Sequence, residues 1–438
     1  MMNCGRRSGQ AHSSECDPSF IIHHSSFIIS MNSTLFFIVA SIVPSMVVCW
    51  AAAFAVRRFG PRWGLVDRPG HRKIHSAPMP TSGGLAIWLG IVLPLAVGQA
   101  ALWGMAGGSG FRDQGSDVRD ASAQQAETRT LNPEHSDRRP EPPPAIVSMR
   151  AFAEKHLPGL LHQSGKLWEL LAGGTVLMLL GFADDRRGLD WRLRLGVQTA
   201  VAIVLVSLGW RMSLFLDWLN MPWITGTLSV IWIVGLVNSF NMLDNMDGLS
   251  AGVAAIAAAM LAAMTLLTPR PDNNQPQLFV AGFLLLIVGS LLGFLWHNRP
   301  PARLFMGDAG SYLVGYLLAM ATLTATFAGG NLPRHAVLGP LCVLAIPIYD
   351  TATVVLIRLR SGRSPFVGDK SHFSHRLVEL GLSKPRAVLT IYLATATCGL
   401  GALLLRQVDH FGACVVLLMV ACMLTLVGIL ETVGRHKR

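Results

Sequence analysis

The sequence predicts an all-α fold, a polytopic membrane protein with about eleven transmembrane helices. Two bulk properties point to that class. Hydrophobic residues make up 51% of the 438 residues and charged residues only 14%, whereas an average soluble protein has about 25% charged residues. The third observation is the recurrence of apolar runs of about 20 residues, the length that crosses a bilayer as a helix.

The apolar runs and their connections form one predicted transmembrane domain, residues 34–432. The runs cover residues 34–56, 83–107, 167–183, 195–215, 223–243, 248–268, 277–297, 310–328, 335–357, 386–406 and 411–432. Residues 1–33 precede this domain, and residues 433–438 form a basic tail on its cytoplasmic side. Met31 directly precedes the first run and is a candidate start of translation, so we predict that residues 1–30 are dispensable.

Lysine and arginine residues are concentrated in alternate connections between the runs. One set of connections, with the C-terminal tail, holds 22 of them, and the short segments on the opposite side hold six. Because basic residues favour the cytoplasmic side, we expect a plasma-membrane (inner-membrane) protein with an external N-terminus and a cytoplasmic C-terminus. The net charge of +11 then reflects topology, and no nucleic-acid partner is predicted.

A long polar insert interrupts the runs at residues 108–166. It is rich in Gly, Ser, Gln and Pro and carries charges of both signs. Such a composition cannot bury a hydrophobic core, so we predict a mostly disordered insert outside the cell, with a short amphipathic helix at residues 149–163, and assign it no chemistry.

Residues 238–252, NSFNMLDNMDGLSAG, place an acidic stretch between two apolar runs. If this stretch is helical, one face carries Asn238, Asn241, Asp244 and Asp247. Carboxylates at the C-terminal end of a helix oppose its macrodipole, so helix formation alone does not favour them. These polar groups could face water at the membrane edge, but four of them on one face favour a functional site.

Three further acids lie in connections on the predicted cytoplasmic side. Asp184 and Asp185 follow the third run, and Asp308 precedes the eighth. Adjacent carboxylates at a helix C-terminus repel each other, and a divalent cation would offset that cost. Mg²⁺ suits this role because it binds one or two carboxylates together with substrate phosphates, and Mn²⁺ could replace it. The alternatives are salt bridges from the acidic pair to Arg186 and Arg187, and a helix N-cap for Asp308.

The other cytoplasmic connections supply groups that recognise nucleotides and phosphates. Asn298 and Phe305 could hold a flat heterocycle through amide hydrogen bonds and ring stacking. Basic groups suited to phosphate are Lys73, His372, His375 and Arg376. The histidines have HxxH spacing without a nearby Cys or Glu, so phosphate binding is favoured over zinc. The alternative for the basic loops is contact with anionic lipid.

These groups together indicate phosphoryl transfer, in which positioning and charge neutralisation supply most of the catalysis. The surrounding transmembrane helices indicate that one substrate is a lipid.

The motifs resemble those of the polyprenyl-phosphate N-acetylhexosamine-1-phosphate transferases, in the same order. They are DRPGHRKIHSAPMPTSGG, DDRRG, NSFNMLDNMDGLSAG, FMGDAGS, and SGRSPF followed by DKSHFSHRL. The resemblance covers about residues 34–432, apart from the insert. It implies eleven helices with cytoplasmic active-site loops, Mg²⁺, and a reaction of a UDP-sugar with polyprenyl (undecaprenyl) phosphate. The products would be UMP and a sugar-diphosphate-polyprenol, the first membrane intermediate of a cell-envelope polysaccharide.

The resemblance also implies roles for individual residues. It places Mg²⁺ on Asp308 with Asp184 and Asp185, and Asp184 would deprotonate or orient the lipid phosphate. The implied nucleotide-sugar contacts are Asn241, Asp244 and Asp247, with Asn298 and Phe305 around the uracil. The implied contacts on the diphosphate or sugar side are His372, His375 and Arg376, and Lys73 is a looser match.

Two positions depart from the family pattern. Asn245 stands where glycine is usual, and Ser374 stands where a third histidine is usual. Both departures bear on the choice of sugar rather than on the reaction. The SGRSPF and HxxHR motifs favour UDP-GlcNAc as substrate over the phospho-MurNAc-pentapeptide of the related branch, and homodimer formation is left open.

Two readings from other classes compete with a transferase. A secondary transporter would place its polar residues near the bilayer midplane and would often show internal repeats, whereas these acids gather at one predicted rim. A non-catalytic protein that binds a nucleotide sugar is the other alternative, and the retained acids argue against it.

Overall fold

The computed structural model describes residues 18–67, 79–108, 144–212, 221–268, 276–327, 333–366 and 371–435. Within these residues the chain is almost entirely helical, which confirms the predicted all-α class. The α-helices are α1 Pro18–Phe59, α2 Gly83–Gly108, α3 Pro144–Arg187, α4 Trp191–Ser207, α5 Pro222–Leu243, α6 Leu249–Leu267, α7 Leu278–Asn298, α8 Gly307–Thr324, α9 Gly339–Val343, α10 Ala345–Arg360, α11 Phe373–Glu379, α12 Lys384–Leu404 and α13 His410–Arg435.

Short elements connect some of these helices. Two 3₁₀-helices span Gly60–Trp63 and Arg334–Leu338. Strands β1 (Val66–Asp67) and β2 (Met79–Pro80) pair antiparallel between α1 and α2. The second strand also lies beside the segment that leads into α8, because the backbone N–H of Phe305 donates to the carbonyl of Pro80 at 2.9 Å.

The lengths and apolarity of the helices confirm a multi-pass membrane protein. Eight described helices are long and apolar enough to cross a bilayer: α1, α2, α3, α5, α6, α7, α12 and α13. The segment Arg334–Val343 and α10 are bent by 66° and would together make a ninth span. The predicted fourth and eighth spans correspond to α4 and α8, with 17 and 18 residues. The count of eleven stays a prediction.

Helices α6, α7 and α8 form the centre of the bundle, since most of their side chains are buried, whereas α1 and α13 are largely exposed on the outside.

Glycines allow α1 to pack closely on α7. A Cβ atom at Gly289 would lie 2.2 Å from the carbonyl oxygen of Ile42, and one at Gly293 would lie 2.3 Å from that of Met46. Small residues four positions apart commonly permit such close contact between membrane helices.

The structure has the helix expected at residues 149–163 of the insert, but that helix is longer than predicted. Helix α3 begins at Pro144, so residues 144–166 are helical and continuous with the following span. These residues include many strong helix formers, such as Ala, Leu, Met, Glu and Lys. The composition that predicted disorder belongs mainly to residues 109–143, which lie outside the described part of the chain.

Candidate active site

The predicted acidic residues lie where several helix ends meet. Asp185, near the end of α3, accepts hydrogen bonds from the backbone N–H groups of Asp308 at 3.0 Å and Ala309 at 3.2 Å. Near the end of α5, Nδ2 of Asn241 donates to Oδ1 of Asp308 at 2.6 Å and to Oγ of Ser311 at 3.1 Å. The ends of α3 and α5 and the beginning of α8 are therefore joined at one place.

The carboxylate of Asp185 supplies the acceptor that the beginning of α8 lacks. Helix α8 begins at Gly307, no side-chain hydrogen bond comes from its own N-cap residue, and Asp308 is its second residue. The alternative interpretation of Asp308 as an N-cap is therefore wrong. Both acids instead lie at a helix N-terminus, where negative charge is favoured by the macrodipole.

Glycine is required at position 307. Its φ is +71°, a left-handed conformation that other residues rarely adopt. A Cβ atom there would lie 2.5 Å from Oδ2 of Asp185 and 2.4 Å from the carbonyl oxygen of Thr81. The absence of a side chain thus lets α3, α8 and the segment before α2 meet around the acids.

Burial and mutual repulsion affect the acids at this place. Burial, followed by the charge of Asp308, raises the pKa of Asp244 to about 7. Burial, followed by the charge of Asp184, raises the pKa of Asp308 to about 7. Asp185, Asp244 and Asp308 nevertheless keep part of their surface exposed. The cluster therefore holds more negative charge than its own donors offset, and it remains open to an incoming ion.

The carboxylates at this place fit Mg²⁺ if water and substrate phosphates supply its remaining ligands. Asp185, Asp244 and Asp308 offer carboxylate oxygens, the hard ligands that Mg²⁺ prefers. In the described ranges, no three His, Cys, Asp or Glu side chains form a complete metal-binding group. This arrangement suits a cation that takes its other ligands from water and from substrate phosphates.

Asp184 is buried, and its carboxylate lies close to that of Asp308. Its Oδ2 accepts hydrogen bonds from Nη1 of Arg194 at 2.8 Å and from the hydroxyl of Tyr312 at 3.0 Å. Its Oδ1 accepts the backbone N–H of Leu189 at 2.7 Å. These three bonds tie the end of α3 to α4 and α8, so the two adjacent acids have different surroundings.

The partners expected for the acidic pair are corrected by this geometry. Arg186 and Arg187 are exposed, and the ion pair of Asp184 is formed with Arg194 instead. Arg194 lies one turn into α4, where the helix runs back past the end of α3. Coordination of Mg²⁺ by Asp184 stays a prediction, and its oxygens already accept three hydrogen bonds.

The expected helical face at the end of α5 is wrong. The four side chains predicted to share it were Asn238, Asn241, Asp244 and Asp247. Helix α5 ends at Leu243, and Asp244 has the non-helical backbone angles of a C-cap. Asn238 instead faces α4, donating to Oε1 of Gln198 at 2.6 Å. Asp247 accepts the backbone N–H of Ala302 at 3.0 Å, beyond α7. The acids are gathered by a turn rather than by helical periodicity.

Asn298 and Phe305 hold backbone segments beside this turn. Asn298 is 3% exposed, its Oδ1 accepts the N–H of Gly248 at 2.9 Å, and its Nδ2 donates to the carbonyl of Leu304 at 2.9 Å. The side chain of Phe305 is partly exposed. The predicted contacts of both residues with uracil stay predictions, and the amide of Asn298 is already engaged by backbone groups.

The histidine motif lies at the beginning of α11, and a residue that the sequence analysis missed holds it. Oδ2 of Asp350 in α10 lies 3.0 Å from Nδ1 of His372, and Oδ1 accepts the N–H of Phe373 at 2.6 Å. Nη2 of Arg376 donates to Oγ1 of Thr353 at 3.0 Å. An acid within an apolar run, here 335–357, is itself a signal of function that could have identified Asp350.

One hydrogen bond joins the histidine motif, residues 372–376, to the acidic turn, residues 244–248 between α5 and α6. Oγ of Ser374 donates to Oδ1 of Asn245 at 2.5 Å. His375 is partly exposed, and its ring centroid lies 6.3 Å from that of His372. The structure thus brings the predicted acids and the predicted histidines into one region. Lys73 lies outside the described residues.

Comparison with known proteins identifies a family and several relatives of this chain. The sequence profile of glycosyl transferase family 4 matches residues 167–326. The chain is 28% identical to the probable undecaprenyl-phosphate N-acetylglucosaminyl 1-phosphate transferase of Bacillus subtilis (strain 168), over 84% of this chain and 85% of that protein. It is 30% identical to the decaprenyl-phosphate N-acetylglucosaminephosphotransferase of Mycolicibacterium smegmatis, over 83% and 79%. It is 25% identical to the undecaprenyl-phosphate alpha-N-acetylglucosaminyl 1-phosphate transferase of Escherichia coli (strain K12), over 82% and 81%.

Proposed function

We propose a sugar-phosphate transfer for this chain, which belongs to the polyprenyl-phosphate N-acetylhexosamine-1-phosphate transferases of glycosyl transferase family 4. The chain transfers N-acetylglucosamine 1-phosphate from UDP-GlcNAc to a polyprenyl phosphate. An oxygen of the lipid phosphate attacks the β-phosphorus of the nucleotide sugar. The bond between the β-phosphorus and the oxygen that bridges the two phosphates breaks, and UMP leaves with that oxygen. The names of the relatives support GlcNAc as the sugar.

The observation that carries the proposal is the meeting of Asp185, Asp244 and Asp308 from three different helix ends. Asp185 and Asp308 would hold Mg²⁺, with Asp244 beside them. Bound there, the ion would offset the charge of two phosphate-bearing reactants and of the leaving phosphate. The partly exposed carboxylates and the excess of negative charge support this assignment.

The chain's other residues position these groups. Asn241 holds the carboxylate of Asp308 by a 2.6 Å hydrogen bond. The hydrogen bonds of Asp184 with Arg194 and Tyr312 fix the end of α3, and hence the place of Asp185. A role for Asp184 on the lipid phosphate belongs to the same proposal. Positioning of this kind is the main protein contribution to phosphoryl transfer.

The histidine motif would contact the diphosphate or the sugar. His372 is oriented by Asp350, and His375 keeps part of its ring exposed beside it. Arg376 lies buried in the same helix and adds a fixed positive charge. Charge-assisted hydrogen bonds from such groups to phosphate oxygens are strong and directional.

The membrane arrangement completes the proposal. The distribution of lysine and arginine supports an active site on the cytoplasmic face of the plasma membrane, where a nucleotide sugar is available. Neither alternative function has a specific observation in its favour. The three relatives are named for N-acetylglucosamine phosphate transfer rather than for a peptide-bearing sugar or for transport.

A panel of UDP-sugars tests the proposal. The purified chain, in detergent with Mg²⁺, is incubated with each UDP-sugar in the presence and absence of undecaprenyl phosphate, and released UMP and lipid product are measured. UMP release from UDP-GlcNAc that requires the lipid phosphate supports the proposal. Turnover of UDP-MurNAc-pentapeptide alone would move the chain to the related branch. Uptake of a UDP-sugar into vesicles without product would contradict transfer.

A further inference from the structure

A side-chain hydrogen bond joins the two halves of the candidate active site. Oγ of Ser374 donates to Oδ1 of Asn245 at 2.5 Å, between residues 129 positions apart. Nδ2 of the same amide donates to the carbonyl of Met242 at 2.9 Å. The amide is therefore oriented by a carbonyl on one side and a hydroxyl on the other.

Each partner lies among groups assigned to the site. Asn245 directly follows Asp244 in the acidic turn, and Ser374 lies between His372 and His375. Ser374 is 1% exposed, whereas Asn245 is only half-buried. The bond thus runs from a buried hydroxyl to an amide at the edge of the opening.

Helix α11 is short and depends on contacts with its neighbours. It has seven residues, too few to be stable alone in water. Asp350 of α10 holds its first turn on one side. The contact between Asn245 and Ser374 ties the same turn to α5 and α6 on another side. Without that contact, the histidines can shift relative to the acids.

We propose that Asn245 and Ser374 form a positioning pair that sets the spacing between the acidic turn and the histidine motif, and thereby determines how the nucleotide sugar is held. This inference rests on the proposed function. Both residues act through their neighbours, and neither contacts the reacting phosphates. Displacement of reacting groups by about 1 Å can lower a rate by about 100-fold, so a single bond between the two elements is sufficient to matter.

Kinetics of single and double variants test the pair. Asn245→Gly leaves a buried hydroxyl without its acceptor, so we expect kcat/KM for UDP-GlcNAc to fall about tenfold. Ser374→Ala leaves a half-buried amide that water can satisfy, so we expect a fall of about threefold. The double variant Asn245→Gly/Ser374→Ala should be no worse than Asn245→Gly, because the stranded hydroxyl is gone. KM for undecaprenyl phosphate should change less than about twofold in all three.

Enlarging one side chain of the pair and shortening the other gives a sharper test than the truncations. Ser374→His alone introduces an imidazole into a buried place against Asn245, and we expect a loss of at least about 30-fold. Adding Asn245→Gly should recover activity to within about threefold of the parent chain, since the space is restored. Ser290→Ala is the matched control. Ser290 is a buried serine of α7 that donates one hydrogen bond to the carbonyl of Ile87, and its loss should leave both KM values unchanged.

Three outcomes would overturn the positioning pair: independent effects of the two single substitutions, equal changes of KM for both substrates, or no recovery in Asn245→Gly/Ser374→His. Thermal unfolding of the same variants measures the coupling without any turnover. If the parent chain releases no UMP from UDP-GlcNAc, the proposed function fails. Coupled unfolding temperatures would then still support the contact between the two residues, and additive shifts would refute it.

Discussion

Nδ1 of His372 lies 3.0 Å from Oδ2 of Asp350, a fully buried residue. The other oxygen of the same carboxylate accepts the N–H of Phe373 at 2.6 Å and lies 3.9 Å from Nη2 of Arg376. A carboxylate beside Nδ1 favours a proton on that nitrogen and so fixes the orientation of the imidazole ring. One buried acid therefore orients an imidazole, caps α11 and faces a guanidinium.

Replacing this acid while keeping its shape should reduce turnover. Asp350→Asn keeps an oxygen for the N–H of Phe373 but removes the charge that fixes the ring of His372 and faces Arg376. We expect kcat to fall about 100-fold, because a catalytic group loses its fixed orientation. Steady-state kinetics with a thermal unfolding measurement checks this.

Asp409→Asn is the control for that substitution. Asp409 also accepts a backbone N–H at a helix start, from Gly412 at 2.8 Å, but it precedes α13 and lies away from the site. Its substitution should leave turnover within about twofold of the parent chain, as expected for an exposed hydrogen bond. Equal activities for the two variants would refute the role of Asp350.

Substitutions of two tyrosines in α8 distinguish an effect on the position of Asp184 from an effect on stability alone. The hydroxyl of Tyr312 donates to Asp184 at 3.0 Å, and that of Tyr316 donates to the carbonyl of Leu170 at 2.8 Å. Each Tyr→Phe substitution should cost about 1 kcal/mol of unfolding free energy, since each removes one buried hydrogen bond. Only Tyr312→Phe should also lower kcat, by about five- to tenfold, because it loosens Asp184 at the end of α3. Equal kcat values in the two variants would contradict the role given to Asp184.

A pair of glycines with similar backbone angles tests the close approach at the beginning of α8. Gly307 has φ +71° and Gly64 has φ +76°. A Cβ atom at Gly307 would lie 2.5 Å from Asp185, whereas at Gly64 the nearest described atom is 3.9 Å away. Gly64→Ala should cost about 1–2 kcal/mol from its backbone conformation and keep activity. Gly307→Ala should cost more, because its Cβ atom would also clash with Asp185 and with the carbonyl of Thr81, and it should abolish turnover. An active Gly307→Ala variant would show that the carboxylate of Asp185 is not confined there.

Much of this architecture could be predicted from the sequence, because hydrophobic length and charge distribution are properties of the residues themselves. The close approach of the acidic side chains could not be predicted from the sequence. A helix over residues 238–247 would place the polar groups on one face, yet α5 ends at Leu243 and the turn that follows gathers the acids. The bond from Asp185 to the beginning of α8 depends on packing between segments 123 positions apart.

Residues that act through others were the hardest to identify. Asp350, Arg194 and Tyr312 lie outside the recognised motifs or at their edges, and their roles appear only when their partners are in place. Asp350 carried a readable signal as an acid inside an apolar run. Tyr312 carried none, because a tyrosine within an apolar helix is common in cores and interfaces alike.

The most direct measurement is UMP release from UDP-GlcNAc and undecaprenyl phosphate over a Mg²⁺ titration, for the parent chain, Asp185→Asn and Asp308→Asn. The parent chain should show a saturable Mg²⁺ dependence that a chelator abolishes. Each substitution should lower the maximal rate by at least about 100-fold, since a ligand that balances developing charge is lost. Near-parental rates in both variants at the same Mg²⁺ concentration would contradict the assignment of these acids to catalysis.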